Sequence, residues 1–189
     1  MEALQEYEEK YGPYTTDDIE ALPEDVRAEL LYGDLYMMGA PSAVHQRISR
    51  ELSRIIGNYI AENKGDCEVF YSPFAVYLDA KKTKKSWVEP DVFVVCRRDI
   101  VHDDGVYGVP DWIMEISSPA TLARDLFLKL NLYRQAGVKE YWVINPMKRI
   151  VTVFDFQSGL GSTQLDFDDE IRPLLYPGLS IRIGDMFQA

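Results

Sequence analysis

Glu115 lies inside the apolar run "WIMEI", residues 112–116. Taking a carboxylate out of water without a partner costs several kcal/mol, so an acid at this position implies a partner. Alternate residues of a strand share a face. Asp111, Ile113 and Glu115 therefore point one way, and Trp112, Met114 and Ile116 the other. A second acid, Asp91, opens the preceding apolar run "DVFVVC" on the face of Phe93 and Val95. If the two runs pair, Asp91 and Glu115 converge, and like charges that close need a cation or a shared proton. Downstream, Asp125, Lys129 and Tyr133 recur at a spacing of four, along one face of a helix. Lys129 on that face can reach the carboxylates.

Two carboxylates, a lysine and oxygen ligation suit Mg²⁺ or Mn²⁺. Such an ion polarises a phosphoryl oxygen and acidifies a bound water. A lysine beside it can orient that water and stabilise developing negative charge. The start of the same helix, near Pro119, also offers free N–H groups to a phosphate. Structural readings compete. Glu115 and Lys129 can form a buried ion pair that fixes strand against helix. Asp91, after Pro90, can be a turn residue at a strand start.

Several elements must position these groups. "TTDDIEALP" predicts a short helix capped by Thr15 or Thr16 and stopped at Pro23. "AELLYGDLYMMG" predicts a hairpin with Gly33 and Asp34 at its turn. In the segment after Pro41, Val44, Ile48, Leu52, Ile55, Ile56 and Tyr59 follow a helical period, with Gly65 past the end. Strands are expected over 68–78, 86–96, 110–117, 140–145 and 149–156, with Pro73 marking an edge or bulge in the first. Residues 97–108 read as a loop. Between the third and fourth strands a helix is predicted, with Ser118 as N-cap, Pro119 at its first position and Gly137 past its end. A strand–helix–strand unit implies two parallel strands, so the expected fold is α/β with a mixed central sheet flanked by helices.

The 189 residues suffice for one domain, expected to span 1–189 with its core at about 42–146. No apolar run is long enough for a membrane span. The polar N-terminus is unlike a secretory signal, and Cys67 and Cys96 suggest neither a metal site nor a disulfide framework. A cytoplasmic protein is the expectation. The net charge of −11 opposes non-specific binding to nucleic acid. The one basic run, "KKTKK" (81–85), reads first as a solvated turn between strands.

Taken together, "EPDVFVV", "GVPDWIMEISSPAT" and "RDLFLKLNLYRQAGVKEYWVINP", with "RAELLYGDLYMM" and "PSAVHQ" upstream, resemble the Uma-type (DUF820-like) restriction endonuclease family of the PD-(D/E)XK nuclease superfamily. The resemblance spans roughly residues 15 to 187. It implies a restriction endonuclease-like core of order αβββαβ, which agrees with the periodicity, plus an N-terminal hairpin and extra C-terminal strands. It implies that Asp91 and Glu115 are metal ligands, joined by the Ile116 carbonyl. The superfamily's lysine two residues after the second acid is here Ser117, and Lys129 matches the family's substitute on the next helix. Asp125 and Tyr133 match family positions, and so do Glu29 and His45, which would orient the metal or a water. Asp111 follows another proline but would sit roughly 13 Å from Glu115 along the strand, too far to share one ion.

The resulting expectation is an endonuclease dependent on Mg²⁺ or Mn²⁺ that hydrolyses phosphodiester bonds in DNA, with a homodimer joined through its Tyr-rich N- and C-terminal extensions as the expected partner arrangement. The alternatives are a catalytically silent binding or regulatory module of the same fold, favoured by the acidic charge, and a metal-dependent phosphatase of a small nucleotide.

Overall fold

The computed structural model describes residues 12–23, 25–79, 84–159 and 161–187. Helix α1 (Thr16–Glu20) is capped by Thr15, whose N–H and hydroxyl both donate to Asp18 Oδ2, at 2.7 and 2.9 Å. Strands β1 (Ala28–Leu31) and β2 (Asp34–Met37) form the expected hairpin. Its turn is one residue earlier than predicted. Tyr32 and Gly33, with φ of 53° and 84°, are the central pair, because Asp34 already pairs with Leu31. A two-residue hairpin turn needs positive φ at both centres, and Gly33 meets that at little cost. The Leu30 N–H donates to the Trp87 carbonyl, and Leu30 accepts in return, which ties the hairpin to the rest of the chain.

Helix α2 (Ala43–Glu62) is capped by Ser42, whose hydroxyl accepts from the His45 N–H. Ile48, Leu52, Ile56 and Ile60 are spaced by four and fully or nearly buried. Burying each contributes roughly 1.5–3 kcal/mol, and the stripe holds α2 against one face of the main sheet.

That sheet contains β3 (Glu68–Tyr71), β4 (Val92–Val95), β7 (Trp112–Ile116), β8 (Glu140–Asn145), β9 (Ile150–Asp155) and β10 (Ser162–Asp166). Their spatial order is β10-β9-β8-β7-β4-β3, and only β7 and β8 run parallel. β3 is an edge strand, as Pro73 implied, but it ends at Tyr71 rather than at 78. Val76 and Val88 form a separate antiparallel bridge, so both strands expected around "KKTKK" are shorter than predicted. Residues 97–108 hold a small hairpin, β5 (Val101–His102) with β6 (Gly105–Val106), where a loop was expected. Trp112, Met114 and Ile116 face α2, while Ile113 packs with Phe93, Tyr133 and Tyr141 on the other side, as the alternation required.

The crossover from β7 to β8 is built in three pieces: α3 (Leu122–Arg124), a π-helical segment (Asp125–Lys129) and α4 (Leu130–Ala136). Gly137 ends it in the left-handed region, with φ 98°. The helix starts later than the Ser118 cap predicted. Ser118 and Thr121 instead close a local turn by exchanging side-chain-to-backbone hydrogen bonds of 3.0 and 3.2 Å, an alternative to helix that these residue types favour.

Cys67 and Cys96 form a disulfide, contrary to the expectation from sequence. Glu68 pairs with Val95, so the next positions outward are opposite each other across β3 and β4. Disulfides are rare in reducing compartments, so the cysteines no longer argue for the cytoplasm. No helix among the described residues is long and apolar enough to cross a membrane. Of "KKTKK", Lys81 to Thr83 lie outside the described residues, as do residues 1–11 of the N-terminal extension expected at a dimer interface. Lys84 pairs with Asp17 at 2.8 Å, and Lys85 Nζ donates to the Tyr14 carbonyl at 3.2 Å.

Candidate active site

β4 and β7 place the two acids. Val92 pairs with Met114 in an antiparallel register, so Asp91 and Glu115 occupy the next pair along, on one face. Side chains so opposed have Cβ atoms about 5 Å apart. The Ile116 N–H donates to Asp91 Oδ2 at 2.7 Å, which fixes that carboxylate at the end of β7. In an extended strand the N–H and C=O of one residue face the same neighbour, so the Ile116 carbonyl also turns toward Asp91. His45, in the first turn of α2, brings Nε2 within 3.0 Å of Asp91 Oδ1. The His45 Nδ1 is buried without a hydrogen-bond partner among the described residues.

Glu115 is held from the crossover helix. Its Oε1 accepts from Lys129 Nζ at 2.8 Å and from the Tyr133 hydroxyl at 2.6 Å. Its Oε2 takes no hydrogen bond among the described residues, and Glu115 lines the cleft. Lys129 Nζ donates as well to Glu29 Oε1 at 2.8 Å, which also accepts from the Glu89 N–H at 3.2 Å. Asp125 Oδ2 accepts from the Ser117 hydroxyl at 2.8 Å, and the Tyr141 hydroxyl donates to the Asp125 carbonyl. The π-helical winding keeps both Asp125 and Lys129 buried, and such segments recur at functional sites.

Charge is unbalanced here. Glu29, Glu115 and Asp125 are all at most 3% exposed, and Lys129 is the one ammonium among them. Burial pushes the Glu115 carboxyl well above its usual range. Lys129 opposes this, and Asp91, Glu29 and Asp125 add to it. Burial likewise raises Asp125, against Lys129 and the hydroxyls of Ser117 and Thr121. For Lys129, burial alone pulls the pKa down, but Glu115, Glu29 and Asp125 outweigh it and the net shift is upward. The lysine is a persistent ammonium. Tyr133 is raised by burial and by Glu115, so it stays a hydroxyl donor.

All seven side chains singled out in the sequence thus fall in one constellation: Glu29, His45, Asp91, Glu115, Asp125, Lys129 and Tyr133. Glu29 and His45 come from separate elements, β1 and α2. Asp111 lies elsewhere. Its carboxylate accepts from the Cys96 N–H at 2.8 Å and pairs with Lys139 at 2.6 Å, pinning the far end of β7. Sequence reasoning missed Glu89 and Arg27, which pair with each other at the cleft, with Arg27 also donating to the Ser72 hydroxyl at 2.8 Å. Glu89, two residues before Asp91, was the available signal. The role of Ser117 in holding Asp125 was also missed.

The cleft between the hairpin, the start of α2 and the 117–121 turn has a volume of about 710 Å³. Its donor set is hard: two carboxylates and a peptide carbonyl, with imidazole beyond. No group of three or more His, Cys, Asp or Glu with metal-binding geometry occurs among the described residues. Two carboxylates suit an ion that keeps several waters and shares its shell with substrate phosphates, the habit of Mg²⁺.

A crystal structure described as a "putative nuclease belonging to DUF820", from Anabaena variabilis, superposes with a TM-score of 0.73 at 22% identity, covering 93% of this chain and 98% of that one. It has the same nuclease-like α/β fold. An uncharacterized protein of Synechocystis sp. is 30% identical over 105 residues, 56% of this chain and 53% of the relative. The chain spans about half the length of the curated relative it matches. Residues 16–184, from α1 through the C-terminal turns, match the family Uma2, described as "Putative restriction endonuclease", and the chain belongs to that family.

Proposed function

We propose that the protein is a divalent-metal-dependent endonuclease that hydrolyses phosphodiester bonds in DNA. The observation that carries the reading is the opposition of Asp91 and Glu115 across β4 and β7, with Lys129 bound to Glu115. Asp91, Glu115 and the Ile116 carbonyl would hold Mg²⁺ or Mn²⁺. When bound, such an ion polarises a phosphoryl oxygen and lowers the pKa of its water.

The chain's own residues supply the rest. An ammonium has three donors, and Lys129 spends two on Glu115 and Glu29. The third is available to an attacking water or a phosphoryl oxygen in the cleft. Because its pKa is raised, Lys129 donates and stabilises charge rather than accepting a proton. Tyr133 and Glu29 hold Glu115 and Lys129 in place, Asp125 adds negative charge that keeps Lys129 protonated, and His45 orients Asp91.

The experiment is a plasmid-nicking assay with Mg²⁺ and with Mn²⁺, using Asp91→Ala as control. Metal-dependent nicking that the variant lacks is the expected result. Nicking that survives in Asp91→Ala places the activity elsewhere.

A second reading, a silent nuclease-fold binding module, is favoured by the net charge of −11. Inactivity on DNA and RNA alike, with metal bound, would select it.

A further inference from the structure

The basic side chains of the cleft are nearly all committed to carboxylates. Lys129 is held by Glu115 and Glu29, Arg27 by Glu89, and His45 by Asp91. Arg124 differs. It lines the same cleft, at the last position of α3, directly before the π-helical segment that carries Asp125 and Lys129. Its side chain makes no ion pair or hydrogen bond among the described residues, and its Nε is buried without an acceptor. Its guanidinium carbon lies 5.2 Å from the centroid of the Tyr36 ring on β2. Burial raises the Tyr36 phenol and Arg124 pulls the other way, in keeping with a neutral ring beneath a cation.

A guanidinium has five donors, and leaving them unused in a half-buried position is costly unless a ligand takes them. Stacking on an aromatic face fixes its plane and leaves its edge for a planar, bidentate partner, for which phosphate oxygens are well matched. The setting sharpens the point. Glu29, Glu89, Asp91, Glu115 and Asp125 make this cleft strongly acidic, and a phosphodiester entering it is repelled by these carboxylates. An ion between Asp91 and Glu115 would answer for the reacting phosphate only.

We propose that Arg124, backed by Tyr36, is the contact for a non-reacting backbone phosphate of a nucleic-acid strand lying in the cleft. The inference rests on the nuclease reading above and adds a substrate-binding residue to it.

The test is binding rather than cleavage. Anisotropy of a labelled DNA duplex is titrated with the full chain in Ca²⁺ and in EDTA, across a range of salt concentrations. Arg124→Gln is expected to weaken binding roughly tenfold, as the loss of one charge-assisted contact does. It should also lower the slope of log K against log salt by about 0.9, one phosphate's share. Arg124→Lys keeps the charge and loses the stacked fork, so it should weaken binding while retaining the slope. Thermal unfolding checks that each variant is folded, and if Arg124→Gln is not, Arg124→Lys decides. A wild type that binds duplex, with variants equal to it in affinity and slope, overturns this inference and leaves the nuclease reading standing. A wild type that binds no DNA or RNA in either condition removes both.

Discussion

Lys129 Nζ lies 2.8 Å from Glu115 Oε1, and each residue is 3% exposed. Their Cα positions are 14 residues apart in the chain, one on β7 and one in the π-helical segment that follows it. The same ammonium meets Glu29, 100 residues away. One cation therefore joins hairpin, sheet and helix. Removing it strands two buried carboxylates, so the site's chemistry and the fold's stability share a residue.

Lys129→Met is accordingly expected to destabilise the protein by about 3–5 kcal/mol, the usual cost of breaking a buried pair from one side. Glu29→Gln should cost less, because Lys129 keeps Glu115. In the double variant the cost should fall short of the sum by at least about 1 kcal/mol, since the second change removes a charge that the first left unpaired. Urea denaturation of the four proteins measures this. Additive losses would mean that the two side chains do not interact.

The acid proposed to hold the metal, Glu115, should cost stability. Glu115 is buried, and Asp91, Glu29 and Asp125 all oppose its charge. Glu115→Gln keeps an oxygen for Lys129 and Tyr133 and removes that charge. Without metal, the variant is expected to be as stable as the wild type or more so, by about 1 kcal/mol, in line with the strain active sites store. Mn²⁺ should reverse the order. At a hundredfold excess over its dissociation constant it should stabilise the wild type by about 2.7 kcal/mol and leave Glu115→Gln unmoved. Equal thermal shifts in both proteins would mean that the ion binds somewhere else.

Tyr133 tests the orientation of Glu115 separately from its charge. Its hydroxyl donates to Glu115 Oε1 at 2.6 Å, and its ring packs edge-on to Tyr141 with centroids 5.0 Å apart. Tyr133→Phe keeps the packing and loses the donor. The expected loss is about 1–2 kcal/mol in stability. Nicking should slow by roughly tenfold while the metal requirement persists, since one of two hydrogen bonds placing the carboxylate is gone. Unchanged nicking would reduce Tyr133 to a packing residue.

Much of this was legible in the chain, for physical reasons that can be named. The alternation of "DWIMEIS" put Glu115 on the sheet face opposite Trp112, Met114 and Ile116, the face that the crossover covers. The four-residue spacing of Asp125, Lys129 and Tyr133 put a lysine within reach of it. The place of Glu29 was not readable from periodicity, because β1 meets Lys129 through tertiary contacts, among them the pairing of Leu30 with Trp87. Family resemblance supplied it. The π-helical segment left no signal, as its residues are ordinary helix formers. The disulfide depended on the register of β3 against β4, which two isolated cysteines do not specify. Arg124 gave no sign because its distinction is the absence of a partner.

Glu140 is a buried carboxylate outside the cleft. It opens β8, is 1% exposed, and accepts from Trp142 Nε1 at 2.7 Å and from the Leu174 N–H at 2.8 Å. Burial nonetheless pushes its pKa up to about 7, against these donors. The folded state thus holds a proton that the unfolded chain, at an ordinary 4.5, has released. The stabilising contribution is complete below about pH 4.5, falls as pH rises, and is gone above about pH 7. Across that window the loss is on the order of 3 kcal/mol. Glu140→Gln cannot titrate, and its amide places N–H groups against the Leu174 N–H, so it should be less stable than the wild type in acid. The gap between the two proteins should then narrow steadily from pH 5 to pH 7 in urea denaturation. A gap that stays constant over that range would show that Glu140 titrates alike in the folded and unfolded chains.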